Sequence, residues 1–199
     1  MGFDIYGLNP NNPNNAIKPE QMDWNKKHTE KESNDYFEEL DNFQEEVVGS
    51  YFRNNVWFWR PLWNFTCVYC DHILTPKDIE YGHSNSGHKI SKTKADRIAK
   101  KLFRLIADGT ADKVEREFAL RLAKAQSHNQ IIDEELEVIN KACFKEHGKL
   151  VPANYPEPYK SQWKKTYDKR SWDDSYPFYA DNVKEFAKFC INSGGFEIF

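Results

Sequence analysis

The densest gathering of chemically useful side chains is Tyr51-Phe52-Arg53-Asn54-Asn55-Val56-Trp57-Phe58-Trp59-Arg60-Pro61-Leu62-Trp63. Tyr51, Trp57, Trp59 and Trp63 offer planar faces on which a base can stack. Arg53 and Arg60 offer fixed forks for phosphate, and Asn54 and Asn55 supply donors and acceptors for a base edge or ribose. These are the ingredients of a nucleotide pocket. A packing reading runs beside it, in which the tryptophans form the core and the two Asn make a turn; both hold if some rings lie inside and others line a cleft. A secondary anion site is expected at Ser91-Lys92-Thr93-Lys94, where Ser91 and Lys94 bring a hydroxyl and a charge to a helix start that already attracts anions. Lysines at such a start are often only solvated, and the Walker and dinucleotide fingerprints are both absent.

Cys67-x2-Cys70-x12-His83-x4-His88 matches the spacing of a two-Cys, two-His zinc site, with Asp71 and His72 as further donors. Its context argues against zinc. Ser84-Asn85-Ser86-Gly87 separates the histidines with poorly helical residues, and thiols at i and i+3 of an aromatic helix read as core. No cofactor is therefore expected. Catalytic signatures are absent: there is no Gly-x-Ser-x-Gly elbow and no His-Glu-x-x-His. The acidic pairs Glu134-Glu135 and Asp173-Asp174 are adjacent in sequence, which points their carboxylates apart on a helix or strand. The reading leans away from an enzyme.

The elements that must position these groups follow from periodicity. Gly2-Phe3-Asp4-Ile5-Tyr6 alternates as a strand does, and Gly195-Phe196-Glu197-Ile198-Phe199 repeats the pattern, so the ends should share a small sheet, directly or through a third strand. Residues 9–19 hold five Asn and three Pro and predict extended chain within a segment 8–32. Helices are expected over 33–48, 91–108, from Thr110, over 131–146 and from Asp181 to Gly194. A further helix runs to Cys70 from Arg60 or Pro61, or else from near Asn55 with a kink at Pro61. Residues 71–90 read as loop, and 148–178, with four prolines, as an irregular aromatic segment. The fold class is mainly α with a small β-sheet, five to six helices in one domain over 1–199.

The length of 199 residues suits such a domain, and 30 aromatics among them exclude general disorder. No run approaches the roughly 20 apolar residues of a membrane span, and the start lacks the layout of a signal peptide, so the chain reads as cytoplasmic. Four cysteines are too few for a disulfide scaffold. The net charge of −3 hides an asymmetry: residues 1–50 carry 4 Lys/Arg against 11 Asp/Glu, and residues 51–128 carry 14 against 8. A sequence pI of about 6.1 still disfavours binding of long nucleic acid.

MGFDIYGLNP, GSYFRNNVWFWRPLW, GHSNSGHKISKTKADRIAKKL and YPFYADNVKEFAKFCINSGGFEIF together resemble, end to end, a largely uncharacterised family of small proteins encoded by bacteriophages and some bacterial genomes. The resemblance implies a phage or prophage origin and action in the host cytoplasm. It carries over no catalytic residue. Such proteins often modulate the host, some by sequestering nucleotide-derived immune signals.

The expectation is thus a phage accessory protein that binds a small anionic, nucleotide-derived ligand through the 51–63 segment, in a counter-defence role. One alternative is a protein-interaction module that inhibits a host enzyme, with the acidic 23–46 region as a decoy surface whose deletion should abolish the partner. A second is a nucleotide-processing enzyme. Homo-oligomers are compatible with all three, although nothing in the sequence identifies an interface.

Overall fold

Side chains alternate across a strand, so Phe3 and Ile5 share one face of the first strand while Asp4 and Tyr6 share the other. A computed structural model, which describes residues 2–173 and 175–199, shows what that alternation builds; Met1 and Asp174 lie outside the described residues. The strand is β1 (Gly2–Gly7), and β4 (Gly195–Ile198) pairs with it directly, Ile5 opposite Ile198. Two further strands, β2 (Tyr51–Asn55) and β3 (His88–Ser91), complete an antiparallel sheet of order β2-β1-β4-β3. The fold class expected from the sequence, mainly helical with a small antiparallel sheet, is the one observed.

The chain divides into two compact units, residues 1–115 with 178–199 and residues 116–177. In the first, the inner sheet face presents Phe3, Ile5, Ile90, Phe196 and Ile198, all nearly or fully buried. Helices α2 (Val56–Tyr69), α4 (Lys92–Ala107) and α7 (Ala180–Asn192) cover it with Trp59, Leu62 and Trp63, with Ile98 and Leu102, and with Phe186 and Phe189. Each fully buried aliphatic or Phe side chain contributes about 1.5–3 kcal/mol. Phe3, Trp59 and Trp63 form a continuous stack at 5.4 Å per step. The indole N–H groups donate to the Gly82 and Ile79 carbonyls at 2.8 and 3.2 Å. Gly82 is required there, because a Cβ would lie 2.0 Å from the Trp63 ring. Gly194, at φ +64°, ends α7 and turns the chain into β4.

Several local signals were stronger than the sequence reading allowed. α1 (Glu30–Glu46) begins at a Thr29/Glu32 capping box, earlier than the expected Ser33, and none of its residues is buried. Asn55 caps α2, which passes through Pro61, so of the two readings the start near Asn55 is the observed one. The segment 71–90 is not all loop: α3 (Pro76–Tyr81) starts at a Thr75/Asp78 capping box with Pro at its first position, and β3 follows. The helices expected from Thr110 and over 131–146 are one 38-residue helix, α5 (Thr110–His147). Residues 126–130 contain no Gly or Pro. Asn129, which could have turned the chain, instead donates to and accepts from the Ser171 backbone at 2.8 and 2.9 Å. In the second unit α5 is joined by a short 3-10 turn (Pro152–Asn154) and by α6 (Tyr159–Tyr167), so 148–178 is only partly irregular. Among the described residues no helix is long and apolar enough to cross a membrane.

Candidate functional site

The outer face of the sheet carries what the inner face excludes. One rung runs Lys89, Glu197, Tyr6, Tyr51 across all four strands, and the neighbouring β1–β2 pair sets Asp4 opposite Arg53. Tyr6 and Tyr51 pack ring to ring at 5.2 Å. The Tyr51 hydroxyl donates to Asp4 Oδ1, whose other neighbour is Arg53 Nε at 3.6 Å. Burial first, and then the Asp4 hydrogen bond, push the Tyr51 phenol above its usual range. Burial likewise raises Tyr6, with Asp4 adding to it. Both phenols are therefore neutral donors at physiological pH.

Helix α1 crosses this face and leaves a cleft of about 430 Å³ between them. Tyr6, Tyr51 and Arg53 form its floor, Tyr36 and Phe37 of α1 its wall, and Lys18 of the extended segment reaches its rim. Phe37 stacks on Trp24 at 5.7 Å, which ties that extended segment to the helix. Ser50 also lines the cleft, while its hydroxyl is buried with no hydrogen-bond partner among the described residues. Arg53 has a side chain 71% exposed, so its guanidinium can turn from Asp4 toward a bound anion. Asp41 opposes it from α1. Two cations against this carboxylate and Asp4 suit a ligand of low negative charge with an aromatic part.

The ten residues expected to bind ligand, eight in the 51–63 segment and two at the secondary site, are divided among five places. Tyr51 and Arg53 line the cleft. Trp59 and Trp63 are wholly inside the core and present no ring face to a ligand, which corrects their expected stacking role. Asn55 is spent on the cap of α2, accepting from the Trp57 and Phe58 N–H groups at 3.0 and 3.1 Å, and Asn54 donates to Asn182 at 2.9 Å. Trp57 and Arg60 are exposed on α2 and do not line the cleft; Arg60, after burial, helps lower the His83 pKa. The cause of the division is a switch at Asn55 from strand to helix, which changes the side-chain period from two to 3.6.

Ser91 and Lys94 stand at the start of α4, but Lys94 is committed elsewhere. Its ammonium donates to Asp78, a buried carboxylate that also accepts from the Thr75 N–H and hydroxyl at 2.7 Å each and lies 2.9 Å from His88 Nε2. Burial raises the Asp78 pKa, but Lys94, Thr75 and His88 outweigh it and hold the carboxyl well below the usual range. This cluster ties α3, β3 and α4 together. Ser91 caps α4 without a side-chain hydrogen bond. For the Cys67, Cys70, His83, His88 set, burial pushes both thiols up to about 12 and His88 is engaged by Asp78. Among the described residues no group of three or more His, Cys, Asp or Glu side chains is placed to hold a metal ion.

Sequence reasoning missed Tyr6, Lys18, Tyr36, Phe37 and Ser50. The alternation of β1 was a usable signal, since it puts Tyr6 on the face opposite Phe3 and Ile5. No family model, no curated protein and no solved structure matches this chain.

Proposed function

We propose that the protein binds a small anionic, nucleotide-derived ligand in the cleft between α1 and the outer sheet face. The observation that carries this reading is the convergence of Tyr6, Tyr51 and Arg53 of the sheet with Tyr36 of α1 and Lys18 around one cleft of about 430 Å³. In it the base lies against the phenol rings, and Arg53 and Lys18 hold the phosphate. The resemblance to phage-encoded proteins supports a sequestering, counter-defence role in the host cytoplasm. The test is native mass spectrometry of the parent and of Arg53→Ala, each incubated with nucleoside monophosphates and cyclic dinucleotides. Retention of a nucleotide by the parent and its loss from Arg53→Ala is the expected result. If the folded variant keeps every ligand the parent keeps, the site assignment fails.

A protein-interaction role is favoured by one observation: α1 has no buried residue and turns Glu38, Glu39 and Glu45 outward, away from the cleft. Deleting 23–46 would strike both readings, because α1 also walls the cleft. Reversing those three charges to Lys separates them. It should abolish capture of a host protein under the interaction reading and leave nucleotide retention intact under ours.

A further inference from the structure

Over its second-unit portion, α5 is two-faced in a way the chain does not use. One side packs, with Ala125, Asn129, Ile132, Leu136 and Cys143 buried. On the opposite side Leu120, Ile131 and Val138 are 65%, 56% and 68% exposed, though large β-branched and γ-branched side chains gain nothing in water. At about 100° per residue, the three lie within roughly 20° of a single line along the helix.

The spacing around them is that of a coiled-coil seam. Positions 117, 120, 124, 127, 131, 134, 138 and 141 alternate three and four apart. We propose that this seam is a dimer interface on which a second copy of α5 lies antiparallel, with the two-fold axis at the level of Asn129.

Charge complementarity chooses both the occupant and its direction. In that register Leu120 meets Val138 of the second copy, and Ser127 meets Ile131. Lys124 meets Glu134, and Glu117 meets Lys141. By symmetry each pairing occurs twice, as an isologous interface requires. Leu120 with Val138 is apolar, Lys124 with Glu134 and Glu117 with Lys141 are of opposite charge, and Ser127 with Ile131 sets a small hydroxyl against an apolar side chain with no charge conflict. A parallel copy would set Lys124 on Lys124, Glu134 on Glu134, Glu117 on Glu117 and Lys141 on Lys141, which is repulsive at all four. The seam from 117 to 141 is about 36 Å long. Its apolar content is small, which fits a dimer that dissociates at micromolar rather than nanomolar concentration.

Sedimentation equilibrium of the full chain over a concentration series tests this. The expected mass rises toward twice 23.5 kDa. Ile131→Glu should hold the protein at one chain mass with unchanged helical circular dichroism. Lys124→Glu and Glu134→Lys should each weaken association about tenfold, and their combination should restore it, which a mere loss of folding would not do. Oxidation of Leu120→Cys/Val138→Cys should give a covalent dimer that neither single variant gives. A monomer at every concentration, a dimer indifferent to Ile131→Glu, or a charge swap without rescue would overturn the proposal. Capture of a different protein on this face by a monomeric chain would do the same.

Discussion

The two faces of the four-stranded sheet are built from alternate residues of the same strands and do opposite things. Inward, Phe3, Ile5, Phe196 and Ile198 are sealed under three helices with the Trp59–Trp63 stack. Outward, Asp4, Tyr6, Tyr51 and Arg53 meet only a thinly packed helix and leave a cleft. On the proposed function, stability and recognition are separated by one residue of register: a slip of one would exchange the two sets entirely.

If that separation holds, inner-face changes should unfold the protein and outer-face changes should silence it. The largest expected effect is Trp63→Ala, which removes a fully buried ring and one end of the stack and should cost about 3–5 kcal/mol in denaturant unfolding. A loss under about 1 kcal/mol would mean that the Phe3–Trp59–Trp63 stack is not what holds the core.

Next is Asp78→Asn, which leaves Lys94 and His88 around a neutral group at the β3 edge and should cost about 3 kcal/mol. Because the folded Asp78 pKa lies below its ordinary 3.8, the stabilisation is fully present above that value. It is lost as pH falls through the folded pKa, so the parent and the variant should converge in acid.

On the outer face, Arg53→Ala should lower nucleotide affinity at least about tenfold, or 1.4 kcal/mol, while changing unfolding by less than about 0.5 kcal/mol. A large stability loss without a binding loss would erase the distinction between the faces. The smallest effect is Tyr51→Phe, which removes the hydrogen bond to Asp4 at a cost of about 1 kcal/mol. The parent phenol, raised above 10.0, adds stability below that pH that fades as pH rises past it. Tyr6, Tyr155 and Tyr159 are raised as well, so an ultraviolet titration of the variant should show one late-titrating tyrosine fewer than the parent.

What was legible in the sequence was what is periodic over several residues. The stripes of α4 and α7 and the alternation of β1 and β4 gave the layers and the pairing of the ends. β2 was hidden because Tyr51 and Phe52 are both aromatic and mask their opposite directions, and β3 because His88-Lys89-Ile90-Ser91 has only one apolar residue. The site was less legible than the fold. Tyr51 and Arg53, singled out for their chemistry, line the candidate cleft. Their partners at 6, 18, 36 and 37 come from distant parts of the chain, joined only by strand pairing and by the crossing of α1. Trp59 and Trp63 misled because ring chemistry is the same for a stack that binds and a stack that packs.

The central pairing of β1 with β4 joins Ile5 to Ile198, contacts separated by almost the whole chain. During synthesis Phe3 and Ile5 emerge well before the strand β4 that pairs beside them and the helix α7 that packs over them. Until then β1 can pair with β2 and Phe3 can meet Trp59, but the other edge of β1 is open to wrong partners. Half of the sheet can thus close early and the other half only once β4 has been made, so chaperone dependence should fall on the nascent chain more than on the mature one.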